Sequence, residues 1–269
     1  MNEAYQVVSS NDTNGLPDSK QIAGVLAKVA QTVGVSKSRV SREFRESGER
    51  LLKKLAERDL SETDILVVDI DGLQFGKDHV ICAVGVDASG HQHVLGFREG
   101  ATENAEVATA LLEDLVGRGL SSDCRRLFVI DGSKALRKAI DQVFGPENPV
   151  QRCRNHKIWH VLGHLPRDPH DQAKSTMQAA FKLNAEEGLA KLKQYASRLE
   201  QDWPSAAASL HEGLDELFMI HRLGLPSKLR RCLRTTNLID NSHSAKRPRE
   251  TLARRLDGAE MDCRQLRRQ

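Results

Sequence analysis

Apolar residues recur along this chain with two different periods. Between positions 20 and 58, Ile22, Val25, Leu26 and Val29 fall on one helical face and Gly34 interrupts the run. Ser36 then stands where it can cap a second helix carrying Val40 and Phe44. From position 64 the period is that of strands. Three apolar runs, 65–70, 79–86 and 91–97, follow one another closely, and Ala88-Ser-Gly90 has hairpin-turn chemistry. The pattern next predicts a helix over 102–118 bearing Val107, Leu111, Leu112 and Leu115, a strand over 127–130 and a helix over 133–144. A short strand near Val150 and a helix over 155–165 complete this part. Residues 166–230 read as helices, with Ala179, Ala180, Leu183, Leu189, Leu192, Leu199 and Leu210 at helical spacing and Pro204 and Pro226 as punctuation. Residues 1–19 are polar and turn-rich without periodicity, and are expected to be disordered.

Two of the strand-like runs drive into an Asp-Gly step, Asp71-Gly72 and Asp131-Gly132. A buried strand that ends in a carboxylate places it at the rim of the sheet, where a ligand or metal can reach it. The order β-β-β-α-β-α-β-α constrains the topology. With the first strand central, the meander on one side and a right-handed crossover to the strand ending in Asp131 on the other, the two carboxylates become neighbours. This is a ribonuclease-H-like α/β arrangement, a mixed sheet with flanking helices. Two carboxylates brought together without a basic partner repel, so the site makes electrostatic sense when divalent cations occupy it, and oxygen-only ligation favours Mg²⁺ or Mn²⁺ over zinc. Asp69 lies two residues before Asp71 on the same strand face, as a supporting group or an alternative ligand.

Charge separates the two ends of the chain. The overall balance is +3, yet residues 221–269 hold thirteen Lys/Arg against five Asp/Glu. A basic tail on an acidic-to-neutral body suits phosphate-backbone binding, while a merely solvated end is the plain alternative. Helix, Gly-containing turn, helix over 20–60 is the layout of a helix-turn-helix, in which Lys37, Ser38, Arg39, Ser41 and Arg42 are the exposed side chains of the second helix. An ordinary helical hairpin has the same pattern. Five scattered cysteines, an odd number, argue against a secreted disulfide framework and fit a reducing cytosol better, and no apolar stretch resembles a signal peptide or a membrane span.

Six ordered motifs together resemble one family. Val35-Ser-Lys-Ser-Arg-Val-Ser-Arg42, Asp71-Gly-Leu-Gln-Phe-Gly76, Gly96-Phe-Arg-Glu-Gly-Ala-Thr-Glu-Asn104, Val129-Ile-Asp-Gly-Ser-Lys-Ala-Leu136, Gln151-Arg-Cys-Arg-Asn-His-Lys157 and Thr235-Thr-Asn-Leu-Ile239 are similar to motifs of the Mutator-type bacterial insertion-sequence transposases. The resemblance implies a ribonuclease-H-like core over 64–165, an all-helical insertion over 166–230, and a third-acid motif with a basic segment over 231–269. It implies a DDE-type metal site of Asp71, Asp131 and Asp240, the last standing where the family usually has Glu, and holding two ions of Mg²⁺ or Mn²⁺. The implied chemistry is strand cleavage and strand transfer on double-stranded DNA, at terminal inverted repeats and target DNA. A homodimer in the bacterial cytoplasm, nucleoid-associated when bound, is the implied setting. Arg247, Arg249, Arg254 and Arg255 join the DNA-contact candidates. The family pattern also extends further at both ends, which implies a truncated chain. A catalytically disabled remnant that only binds DNA is the alternative, and another ribonuclease-H-like nuclease is a weaker third.

Three further features carry two meanings each. Glu103 belongs to a family motif, and is equally a first-turn charge favoured by a helix dipole. Cys153 and His156 form a Cys-x-x-His pair, also a family feature, continued by His160 and His164 at helical spacing. Site support, a structural role and a zinc site are its three readings. Trp203 in the insert and Trp159 beside the Cys-x-x-His are base-stacking candidates or packing groups.

Overall fold

The computed structural model describes residues 36–75, 78–100 and 105–236. They fall into two compact units, one holding residues 36–59 and the other 60–236. The expected disordered start, the first helix of the helix-turn-helix, Glu103, Asp240 and the four tail arginines lie outside the described residues.

Among the described residues of the first unit, helix α1 (Lys37–Ala56) begins where expected. Ser36 is extended (φ −69°, ψ 145°) and its hydroxyl accepts from the Arg39 amide at 3.3 Å, satisfying one of the donors that a helix start leaves open. Lys53 and Lys54 in the last turn complement the helix dipole.

The second unit is built on a five-stranded mixed sheet of order β3-β2-β1-β4-β5. Strands β1 (Ile65–Phe75), β2 (Asp78–Asp87) and β3 (Gln92–Gly100) form an antiparallel meander. Its β2–β3 turn closes as Asp87 Oδ1 accepts from the amides of Ser89 and His91 at 2.8 and 2.9 Å, with Gly90 at φ +82°. On the other side of β1 lie β4 (Leu127–Ile130) and β5 (Val150–Arg152), both parallel additions. Helix α2 (Ala105–Gly117) separates β3 from β4, and α3 (Lys134–Phe144) separates β4 from β5.

Strand alternation sorts the core into layers. Val68, Ile70, Phe128 and Ile130, each fully buried, pack with Leu111, Leu112, Leu136 and Ile140 of α2 and α3. The opposite face, Val67, Val86, Leu127 and Val129, packs with Ile220 of α8 (Met219–Arg222) and with Leu229 and Leu233 of α9 (Ser227–Leu233). A third cluster belongs to helices alone: α4 (Arg154–Gly163), α5 (His170–Ala180), α6 (Ala185–Asp202), α7 (Pro204–His211) and the 3₁₀ turn Asp215–Phe218. Pro204 opens α7, where its missing N–H costs nothing, and Pro226 precedes α9. No helix among the described residues is long and apolar enough to cross a membrane.

Three expected boundaries are corrected. Strand β1 does not stop at Ile70 but runs through Asp71 and Gly72 to Phe75, because Asp71 and Gly72 pair with Cys82 and Ile81 of β2. The Asp-Gly step therefore terminates only the short β4. The third strand also runs on to Gly100, and the helix after β5 starts at Arg154 with Cys153 as its cap residue.

Candidate active site

Parallel register brings the two Asp-Gly steps together. Val67, Val68, Asp69 and Ile70 of β1 match Leu127, Phe128, Val129 and Ile130 of β4 one for one, so Asp71 and Asp131 each stand one residue beyond the last pair. Both carboxylates are locally oriented: Asp71 Oδ1 accepts from the Gly72 amide at 3.0 Å, and Asp131 Oδ1 from the Ser133 amide at 2.8 Å. Ser133 in turn caps α3 through its hydroxyl. Asp71 is 4% exposed, Asp131 half-buried, and Asp69 completely buried in register with Val129.

Neighbouring thiols and imidazoles register this negative charge. Cys82, the cross-strand partner of Asp71, has its thiol pushed up to about 11 by burial and then by the charges of Asp69 and Asp71. His156 shows the opposite balance. Burial is the largest influence on it and disfavours the imidazolium, but the hydrogen bond and charge of Cys153, together with Asp71 and Asp131, lift it to about 9. Burial likewise opposes the Cys153 thiolate, and the partnership with His156 and the Thr236 amide overcomes it, holding the thiol below its usual range. The carboxylate pair thus has a basic neighbour, which sequence spacing did not reveal.

Cys153 and His156 also fix where the chain runs near the end of the described part. The Cys153 amide donates to Ile130 O at 2.7 Å and the Arg154 amide to Arg234 O at 3.0 Å. Thr236 then meets Cys153 Sγ through its amide at 3.5 Å and its hydroxyl at 3.6 Å, and the hydroxyl lies 3.5 Å from His156 Nδ1. No group of three or more His, Cys, Asp or Glu side chains among the described residues is arranged to hold a metal ion. Trp159 is the exposed tryptophan, at 58%, edge-on to His156 with centroids 5.1 Å apart, whereas Trp203 packs against the helical cluster.

The rest of the Gln151–Lys157 motif has a task that periodicity missed. Gln151 Nε2 donates to Leu217 O at 3.1 Å while its Oε1 accepts from the Ile220 amide. Arg154, 5% exposed, donates to Leu217 O (3.1 and 3.0 Å), Phe181 O (3.0 Å) and His221 Nδ1 (3.0 Å), with its guanidinium over the rings of Phe181 and Phe218. Lys157 Nζ donates to Ser209 O and Glu212 O, both at 2.7 Å. Burial pushes Lys157 down to about 8 and Arg154 to about 10. The discernible signal was four long polar side chains, Gln151, Arg152, Arg154 and Lys157, set between an apolar strand and an apolar helix face.

Of the candidate DNA contacts, Ser38, Arg39 and Arg42 are exposed on the first turns of α1, Ser41 is half-buried, and Arg39 pairs with Glu43 at 3.2 Å.

The parallel register thus aligns two carboxylates at the end of a mixed sheet, and comparison with known proteins gives the family. The profile described as transposase, Mutator family, matches residues 3–261. The chain belongs to the Mutator family of transposases. Among curated relatives, it is 27% identical over 176 residues to the transposase for insertion sequence element ISRM5 of Rhizobium meliloti strain 1021, covering 65% of this chain and 43% of the relative. It is 23% identical over 172 residues to the transposase for IS1201 of Lactobacillus helveticus, covering 62% and 44%. To a probable insertion-sequence transposase of Corynebacterium diphtheriae it is 28% identical over 183 residues, covering 66% and 51%. The matched part is about half, or less, of the length of these relatives.

Proposed function

We propose that this chain carries the DNA-cutting and DNA-joining centre of an insertion-sequence transposase, with Asp71, Asp131 and Asp240 as its acids. The observation that carries this is the β1–β4 register, which sets Asp71 and Asp131 at equivalent positions on adjacent parallel strands. The strand order, with β2 antiparallel to β1, supports a ribonuclease-H-like core. Asp240 follows Thr235-Thr-Asn-Leu-Ile239 and lies four residues beyond Thr236; that sequence position is what puts it in the set.

The donor set fits a hard divalent cation. Both acids offer carboxylate oxygen, each turned by a backbone amide, as Mg²⁺ or Mn²⁺ prefers. Bound there, two such ions would supply an activated water or DNA 3′-hydroxyl and stabilise the leaving oxygen in an in-line displacement. The chain's own residues hold the geometry: Gly72 and Ser133 orient the acids, and the imidazolium of His156 offsets their charge. On this proposal the exposed face of α1 and the tail residues Arg247, Arg249, Arg254 and Arg255 meet phosphates of terminal-repeat and target DNA. Joining two ends requires two copies of the chain, working in the bacterial cytoplasm.

The test is Mg²⁺- and Mn²⁺-dependent cleavage of DNA bearing the element's own ends, comparing the unmodified chain with Asp71→Ala, Asp131→Ala and Asp240→Glu. Cleavage that either alanine abolishes is the expected result. Cleavage that survives both alanines refutes the site; end-specific binding without cleavage, restored by Asp240→Glu, would show a DNA-binding protein with a disabled third acid.

A further inference from the structure

The turn that carries Asp131 is gripped from two sides. Gly132 adopts φ +114°, and its carbonyl accepts from Arg152 Nη1 at 3.1 Å. Arg152 is the last residue of β5, in register with Ile130 and only 6% exposed. Its guanidinium is itself held: Nε donates to Glu216 Oε2 at 2.5 Å, and Nη1 lies 3.5 Å from Glu212 Oε1. The other oxygen of Glu216 meets Arg137 Nε at 3.0 Å, and Lys134 Nζ lies 3.7 Å from Glu212 Oε1. Lys134 and Arg137 stand at the start of α3, the helix that Ser133 caps. Glu212 and Glu216 therefore close a ring of charge around Asp131-Gly132-Ser133. The backbone leaves room for it at Gly213 (φ +62°), where a Cβ would collide with the Arg152 guanidinium.

This ring is redundant as a tie between layers. Gln151 of β5 already fastens the helical layer to the sheet through the Leu217 carbonyl, and Arg154 and Lys157 of α4 hold further carbonyls within the layer. A largely buried ion pair is seldom more stabilising than apolar side chains of the same size, so net stability is a weak account of the Arg152–Glu216 pair. Its location directly behind the Asp131 turn is a better one, since groups that orient a ligating side chain tune the ligand without touching the ion.

We infer that Arg152 is a positioning residue for Asp131: its fork fixes the Gly132 carbonyl, Glu216 fixes the fork, and the carboxylate keeps one orientation toward the cation and the phosphodiester. The inference rests on the proposed metal site, and its test includes a readout that needs no metal. Arg152→Lys keeps the charge but cannot reproduce the fork, and Glu216→Gln keeps an acceptor oxygen without the charge. In the full chain, the resonance position and hydrogen-exchange protection of the Ser133 amide report the Asp131 orientation directly. Mn²⁺ binding is followed by electron paramagnetic resonance, and thermal unfolding is measured in parallel.

Both variants are expected to shift the Ser133 amide and speed its exchange. Arg152→Lys should weaken Mn²⁺ binding about tenfold, and should have no further effect once Asp131→Ala is present. A Ser133 amide and Mn²⁺ affinity unchanged from the unmodified chain, with only the unfolding temperature lowered, would reduce Arg152 to a brace between layers and overturn the inference. If Asp131→Ala leaves Mn²⁺ binding intact, the metal assignment fails, and the Ser133 amide then decides the role of Arg152 by itself.

Discussion

Replacing Arg154 with Met separates what the guanidinium does from the volume it fills. Phe181 O loses its Arg154 donor, and an unsatisfied buried carbonyl costs about 1–3 kcal/mol. Leu217 O loses two N–H donors but keeps Gln151 Nε2, so its loss is about 1 kcal/mol. The contacts with the Phe181 and Phe218 rings, at 4.9 and 5.3 Å, add about 1 kcal/mol each. A buried Met side chain recovers about 1–2 kcal/mol by apolar burial. The balance is a destabilisation of about 3 kcal/mol, to be read from urea unfolding monitored by far-ultraviolet circular dichroism. A second readout is local. His221, whose Nδ1 accepts from Arg154, is held down at about 4 by burial and by the charges of Arg154 and Arg230, so its protonation should move upward in the variant when followed by NMR. A loss below about 1 kcal/mol with His221 unmoved would refute the proposition that the guanidinium anchors the helical layer.

Three other outcomes are expected. Because the folded pKa of His221 is depressed, the unfolded chain takes up the proton first; its contribution is intact above about pH 6.5 and is lost as pH falls toward 4, visible as a declining unfolding midpoint in that window and smaller in Arg154→Met. A Cβ at Gly188 would run into the Phe218 ring and the Ala180 carbonyl, so Gly188→Ala should cost about 1–3 kcal/mol, measured by denaturant unfolding; wild-type stability would refute the close packing of α6 on the 3₁₀ turn. Cys82 should react with iodoacetamide at pH 8 far more slowly than the exposed Cys124, and Asp71→Asn should accelerate it; an unchanged rate would mean that Asp71 does not face Cys82.

Local signals carried much of the architecture. Ser36 is legible as a cap because a cap is a contact across three residues; Ser133 reads in the sequence as the first residue of its helix and is instead its cap. The meander is legible because its strands are apolar runs joined by short turns. The length of β1 was not: an Asp-Gly step reads as a strand end, and only pairing with Cys82 and Ile81 on β2 keeps Asp71 and Gly72 extended. The same limit hid the work of Arg152, Arg154 and Lys157. Their partners lie between 20 and 67 residues away, and hydropathy along the chain treats such residues as solvated. His156 was noticed for its spacing to Cys153, but its closeness to the two acids depends on the Cys153–Ile130 bond that sets the start of α4 beside the end of β4.

The anchorage of the helical layer addresses main chain almost throughout. Arg154, Lys157 and the amide nitrogen of Gln151 all donate to peptide oxygens at positions 181, 209, 212 and 217, and every amino acid supplies such an oxygen. What the end of β5 and the first turns of α4 recognise is therefore a path in space rather than a set of side chains. Helical segments with unrelated solvent-facing residues can occupy the same seat provided that the path and its apolar lining persist. Replacement of a solvent-facing residue of the layer therefore leaves the seat intact, whereas replacement of one of the few residues that grip it does not.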